Sequence, residues 1–296
     1  MIATMRTSPG IPGLVRASAM AVTAMVSIQA ATALSRPLVA EMGAPAVTWI
    51  RMAAAAVVLV LVTRPDLRGL TGRAVLAALM LGGALAVLSA TSFAAASRLP
   101  LGMVATIAFL GPLSLALMGA RGWQAAAMAL LAGAGVLCLL WPQSGTTSGG
   151  GLVADPLGLA LAATSAVALA LYIVLTRRVG VVFKGTDGTT ISIVTAAILL
   201  APFGLAGLHQ MPPVSVIAGS AGLALLAPLA TCLLELAALR RLGAPCFSVL
   251  MSVEPAIALG LGLLILHEVP GALQIIGIGS VIVASVATVR LTSSAA

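Results

Sequence analysis

Long apolar runs alternate with short polar punctuation along almost the whole chain. A membrane-spanning helix needs about 20 consecutive apolar residues. Ten stretches meet that demand: 14–35, 45–63, 74–96, 102–119, 122–141, 156–175, 189–208, 214–238, 245–266 and 271–290. Turn and stop signals separate them: Arg36-Pro37, Arg64-Pro65-Asp66, Leu99-Pro100, Pro142, Asp155-Pro156, Pro212-Pro213 and Val269-Pro270. The first run follows Arg6 and Arg16, as the core of a cleaved signal would. It is longer than such a core and leads into a second run, so it is read as a helix. The pattern predicts an all-α integral membrane protein with ten transmembrane helices.

Composition agrees with that reading. Of 296 residues, 61% are hydrophobic and 7% charged. A soluble domain carries about a quarter charged residues. So little charge cannot cover a water-facing surface, which excludes a cytosolic enzyme, and so much apolar content excludes a disordered chain. The partner implied is the lipid bilayer. The net charge of +8 would suggest nucleic acid in a soluble protein. Here loop arginines set the topology instead, and no nucleic-acid partner is expected. With a cytoplasmic N-terminus, the inside segments hold twelve basic residues: Arg6, Arg16, Arg64, Arg68, Arg73, Arg121, Arg177, Arg178, Lys184, Arg240, Arg241 and Arg290. The outside loops hold two, Arg36 and Arg98. Both termini are therefore expected in the cytoplasm. Cys138, Cys232 and Cys246 fall in apolar runs without metal-site or disulfide spacing.

The chain also repeats itself. Arg98-Leu99 recurs as Arg241-Leu242, and Gly111-Pro112 matches Glu254-Pro255, both at an offset of 143. Gly133 and Gly135 match Gly277 and Gly279 at 144, and Ser35-Arg36 matches Thr176-Arg177 at 141. Residues 1–141 and 155–296 thus form two five-helix repeats, joined by a polar linker at 142–154. Five is odd, so the second repeat enters the membrane from the opposite side. Such inverted-topology repeats are typical of secondary transporters.

Polar side chains inside spans are expensive, roughly 2.5–3.5 kcal/mol for a charge at a helix centre on insertion scales. Glu254 lies near the middle of the ninth span. Pro255 beside it has no N–H, so the carbonyl of Met251 should lose its helical donor. Pro112 should do the same to Ala108 in the other repeat. Helix breaks at matching positions of two repeats point to a central binding site. Arg51 lies six residues after Pro45, and two readings stand for it. It snorkels to the interface beside Trp49, or its guanidinium clamps a carboxylate. Glu235 is either a site carboxylate or an interfacial partner of Arg240 and Arg241. Gln29 is either an inter-helix hydrogen bond or a ligand contact. Tyr172 and Trp141 suit packing or the interface, and His267-Glu268 suits a solvated loop. Arg51, Glu235 and Glu254 align roughly with Ser192, Ser92 and Gly111. The scaffold repeats and the charges do not, which points to a ligand site between the halves. The paired glycines lack the context of a phosphate loop and suit close helix packing. No cofactor or metal is expected.

A series of motifs completes the sequence picture: Ser27-Ile28-Gln29, Gly43-Ala44-Pro45 with Arg51, Phe109-x-Gly111-Pro112, Leu234-Glu235 before Arg241-Leu242, and Met251-Ser252-Val253-Glu254-Pro255. The series, spread from about 14 to 290, resembles the threonine/homoserine exporter branch of the EamA-type drug/metabolite transporters. That resemblance implies a bacterial cytoplasmic-membrane efflux permease that exports small amino acids or related metabolites, driven by the proton gradient. Family members often carry an acid just before Phe-x-Gly-Pro, where this chain has Ala108. On this reading Gln29, Arg51, Tyr172, Glu235 and Glu254 line the site. Arg51 would hold a substrate carboxylate, and Glu254 the amino group or the coupling proton. The rival class is a membrane-embedded enzyme such as a lipid-group transferase. It would need a cluster of catalytic groups, and the seven acids are scattered. An importer of another small metabolite is the alternative within transport.

Overall fold

The computed structural model describes residues 11–65, 71–119, 123–140, 155–183, 186–208, 212–242 and 250–294. The linker assigned to 142–154 lies outside them, as do Arg6, Arg68, Arg121, Trp141, Lys184 and Cys246. Among the described residues every regular element is helical.

The run Ile11–Thr63 divides at Gly43 (φ 82°, ψ 154°) into α1 (11–42) and α2 (44–63). Gly43 takes a positive φ that residues with a Cβ adopt at a cost. Pro45 then falls in the first turn of α2, where no N–H is needed. The helix end expected at Arg36-Pro37 is therefore displaced to Gly43. A proline inside a membrane helix is tolerated where neighbouring groups satisfy the freed backbone, and α1 stays helical across Pro37.

The remaining helices are α3 (Gly72–Ala96), α4 (Leu101–Gly119), α5 (Trp123–Leu140), α6 (Pro156–Val182), α7 (Asp187–Ala206), α8 (Val214–Leu223), α9 (Thr231–Leu242), α10 (Glu254–Leu266) and α11 (Ala272–Ser294). Side chains cap two of their starts. The Thr71 hydroxyl accepts from the N–H of Ala74 at the head of α3. The Asp155 carboxylate accepts from the N–H of Leu157 at 3.0 Å at the head of α6.

Two spans are interrupted, 214–238 where the sequence pattern predicts continuity and 245–266 beside Pro255, where a break is expected. The run 214–238 is broken between α8 and α9: Leu225–Ala230 is a widened turn, and Ala227 leaves the helical region (φ −151°, ψ 132°) just before Pro228. In the run 245–266, Leu250 and Met251 are helical, a turn follows at Ser252 and Val253, and α10 begins at Glu254. Pro255 thus sits in the first turn of a helix and starts it. Pro112 differs, since α4 remains helical across it.

Among the described residues six helices are long and apolar enough to cross a membrane. One is Val15–Thr63, whose 49 residues would measure about 74 Å if straight, over twice the roughly 30 Å of a bilayer core. The bend at Gly43 resolves that excess. Shorter apolar stretches lie within α5, α10 and α11. Large apolar side chains cover the outside, among them Val181, Val214 and Leu264. Such a surface is solvated by lipid, and backbone polar groups are satisfied within helices.

Each half of the chain packs against the other. The pair α3 and α6 is the most extensive, followed by α5 and α11; α7, α9 and α10 lie against the Ile11–Thr63 run. Glycines set one of these contacts. A Cβ on Gly135 would stand 2.7 Å from the carbonyl oxygen of Gly277, and one on Gly277 2.6 Å from that of Gly135. Gly133 and Gly279 face open space.

At one end of the bundle, polar ties join several elements. Arg36 near the end of α1 pairs with Glu268, and its Nη2 donates to the Leu99 carbonyl at 3.3 Å. Glu268 also accepts from the N–H of Leu101, at the head of α4, at 2.9 Å. Arg98 binds Asp155 at 2.8 Å. This arginine, then the N–H groups of Leu157 and Gly158, hold the Asp155 carboxyl below its usual range. Glu268 is therefore buried, 8% exposed, and the solvated loop expected for it is corrected. A cation and a free helix-terminal N–H give it the partners that a buried carboxylate requires.

Candidate functional site

Gln29 is buried on α1 and faces the head of α10. Its Nε2 donates to Glu254 Oε1 at 3.0 Å, a contact between residues 225 apart in sequence. Glu254 occupies the first turn of α10, where unpaired N–H groups and the helix dipole favour negative charge. It is half-buried.

Glu235 approaches from α9 and stands within electrostatic reach of Glu254. Tyr172 of α6 stands within reach of Glu235 and of Cys232, one turn before Glu235. Both Tyr172 and Glu235 are half-buried. Gln29 and Glu254 thus touch, Glu235 of α9 lies within electrostatic range of Glu254, and Tyr172 of α6 within range of Glu235. The interfacial pairing considered for Glu235 is not made by Arg241, whose Nη1 turns to the Met20 sulfur. Among the described residues no group of three or more His, Cys, Asp or Glu is placed to hold a metal ion.

Arg51 does not join this group. It is 3% exposed, which removes the snorkelling reading. Nη1 donates to the Ser35 hydroxyl and Nη2 to the Ala227 carbonyl, each at 2.9 Å. The guanidinium carbon lies 4.3 Å from the centre of the Phe93 ring, a cation–π distance. Ser35 follows Gln29 by six residues, which is about 9 Å along α1 and about 120° around it. Arg51 and Glu254 therefore engage different faces and levels of α1.

The repeat offsets expected from the sequence set Glu254 and Gln29 against two positions in the other half. The counterpart of Glu254 is Gly111, and a Cβ there would stand 2.1 Å from the carbonyl oxygen of Ala166 and 3.2 Å from the nitrogen of Ala170. At the offset of Ser35 and Thr176, Ala170 is the counterpart of Gln29. Gly111 packs there backbone to backbone, whereas Glu254 and Gln29 meet through a carboxylate and an amide.

Sequence reasoning passed over Ser35, Phe93, Cys232 and the break at Ala227. The signal for the break was present in Pro228, a mid-span proline like Pro112 and Pro255. Ser35 and Phe93 carry no such mark, since their part depends on where Arg51 folds.

Comparison with known proteins fits this geometry. Residues 156–290 match the EamA-like transporter family. The chain is 31% identical over 263 residues to the threonine/homoserine exporter RhtA of Escherichia coli (strain K12), covering 88% of this chain and 87% of that one. It is 31% identical over 274 residues, with the same coverage, to the exporter of that name from Salmonella typhimurium (strain LT2). A crystal structure 20% identical in sequence superposes with a TM-score of 0.57, covering 94% of this chain and 98% of that one, and so shares the fold. A multi-pass helical bundle with a polar cluster inside it suits a transporter rather than an enzyme, and the chain belongs to the EamA-like transporter family, in its threonine/homoserine exporter branch.

Proposed function

We propose that the protein is a secondary-active efflux permease of the bacterial cytoplasmic membrane, exporting small amino acids of the threonine/homoserine kind in exchange for protons. The carrying observation is the contact of Gln29 with Glu254, which puts a half-buried carboxylate at the head of a broken span with a second, Glu235, in reach. Such a carboxylate takes either a proton or a substrate ammonium, and not both at once. That exclusion is the requirement of antiport. Gln29 and Tyr172 would add hydrogen bonds to the substrate's polar groups. The substrate class is that of the relatives' names.

The proposed scaffold has ten spans in two inverted five-helix repeats, 1–141 and 155–296, with 142–154 as linker, α8 and α9 together making the eighth span. The direction of the helices supports it. The Arg36, Leu99, Arg98 and Asp155 contacts put the end of α1 beside the start of α6, so the first helices of the two halves run oppositely. Alternating access would come from rocking one repeat against the other. The ties around Glu268 and Asp155 would close the outer end in the conformation described.

The test is uptake of labelled threonine and homoserine into inside-out vesicles from overexpressing cells, with a proton gradient imposed and then collapsed. The expected result is uptake that tracks the gradient and is lost with it. Vesicles that accumulate neither amino acid above the control level would overturn the reading.

A further inference from the structure

We infer that Arg51 is a positioning residue, acting on the proposed site through the broken eighth span rather than by touching substrate. The inference rests on the proposed use of Glu235. At Ala227 the backbone leaves the helix, so its carbonyl is turned out of the helical ladder. Membrane helices tolerate a proline break where neighbouring groups satisfy the freed backbone. Arg51 Nη2 supplies that donor at 2.9 Å. The same guanidinium holds Ser35 on α1 through Nη1 and lies against Phe93 on α3. One side chain thus fixes the break relative to α1, α2 and α3.

Beyond the break, α9 is the arm that carries part of the site. The Thr231 hydroxyl, at the head of α9, donates to the Leu226 carbonyl at 3.1 Å across the widened turn. Cys232 and Glu235 come within the next turn and a half. The angle at which α9 leaves the break therefore sets where Glu235 stands against Glu254 and Tyr172.

The other repeat makes the same kind of tie. Ser192 of α7, the counterpart of Arg51, places its hydroxyl 3.0 Å from the Ala78 carbonyl on α3, its one proton shared between that oxygen and the Gly188 carbonyl of its own helix at 2.7 Å. In both halves a side chain of the second helix binds a backbone carbonyl in the third helix of the other half. Arg51 is the longer version, needed because its target carbonyl lies at a break. A clamp on a substrate carboxylate would use the fork of guanidinium donors. Here both terminal nitrogens are engaged and Phe93 covers one face. The feature that suits a clamp is Nε, which has no hydrogen-bond partner among the described residues.

The experiment compares Arg51→Lys with wild type in a Cys138→Ser, Cys246→Ser background, where Cys232 is the remaining thiol. Maleimide labelling of Cys232 in membranes reports the setting of α9 whether or not transport occurs. A loosened break should raise the labelling rate at least about threefold, as local opening does. Export of threonine and of the matching amine without its carboxylate should fall together, in maximal rate, with KM within about twofold for both. Ser35→Ala, a milder change, should shift labelling in the same direction. An unchanged labelling rate in both variants overturns the inference. So does a rise of about tenfold in KM for threonine alone, the signature of lost carboxylate binding. If wild type exports no small amino acid, the proposed function fails, and the labelling still decides this point.

Discussion

The Glu254 carboxylate accepts from the Gln29 amide at 3.0 Å and stands at the dipole-positive end of α10. Glu254→Gln preserves shape and a hydrogen bond to Gln29 but removes both the charge and the proton site. Gradient-driven uptake into inside-out vesicles should fall about tenfold or more, which matches losing a charged contact of roughly 1.5–3 kcal/mol. Substrate exchange without a gradient should survive in part, and Glu254→Asp should keep part of the driven activity. A glutamine variant that concentrates substrate as well as wild type, across the neutral pH range, would show that coupling lies elsewhere. Glu254 was legible in the sequence because a charge in mid-span has a known insertion cost. Its surroundings were not. The convergence of Tyr172 and Glu235 depends on helix rotation, which an almost uniformly apolar span does not encode.

Along the helices, the position of glycine decides how close two elements come. Gly135 and Gly277 leave no room for a Cβ, and Gly133 has nothing within 4 Å. Gly135→Ala should force α5 and α11 apart and destabilise the fold by roughly 1–3 kcal/mol, the usual penalty of overpacking. Gly133→Ala should be neutral or slightly stabilising, since alanine is the better helix former by about 1 kcal/mol. Thermal unfolding of the purified variants in detergent checks this, and equal midpoints would mean the contact is slack. The sequence identified these glycines as packing residues but could not say which of each pair faces the partner. Helix ends show the same limit. Arg36-Pro37 reads as the stop, yet the helix is interrupted at Gly43 instead, because Gly43 takes a positive φ and α1 stays helical across Pro37.

For the whole molecule, the proposed orientation rests on basic residues gathered at one side. Reporters fused after Arg64 and Phe183 should report cytoplasm, and those after Asp155 and Leu208 the outside. A cytoplasmic signal after Asp155 would remove the inverted repeat. The minority arginines, Arg36 and Arg98, are paired with Glu268 and Asp155. Asp155 is held below its usual carboxyl range by Arg98 first, so its contribution is present above the unfolded carboxyl pKa and lost as the pH falls through the lower, folded one. Charge counting ignored these pairings, since partners 232 and 57 residues apart are joined only by the fold.

Those separations bear on synthesis. Arg36 emerges 232 residues before Glu268. At about 5–20 residues per second, it waits on the order of ten to fifty seconds for its acid. In the proposed orientation, the nascent first half during that interval exposes Arg36 without its acid on the side where positive charge is disfavoured. The late arrival of Glu268 would then act as a final locking step in biogenesis, made after the last loop has crossed.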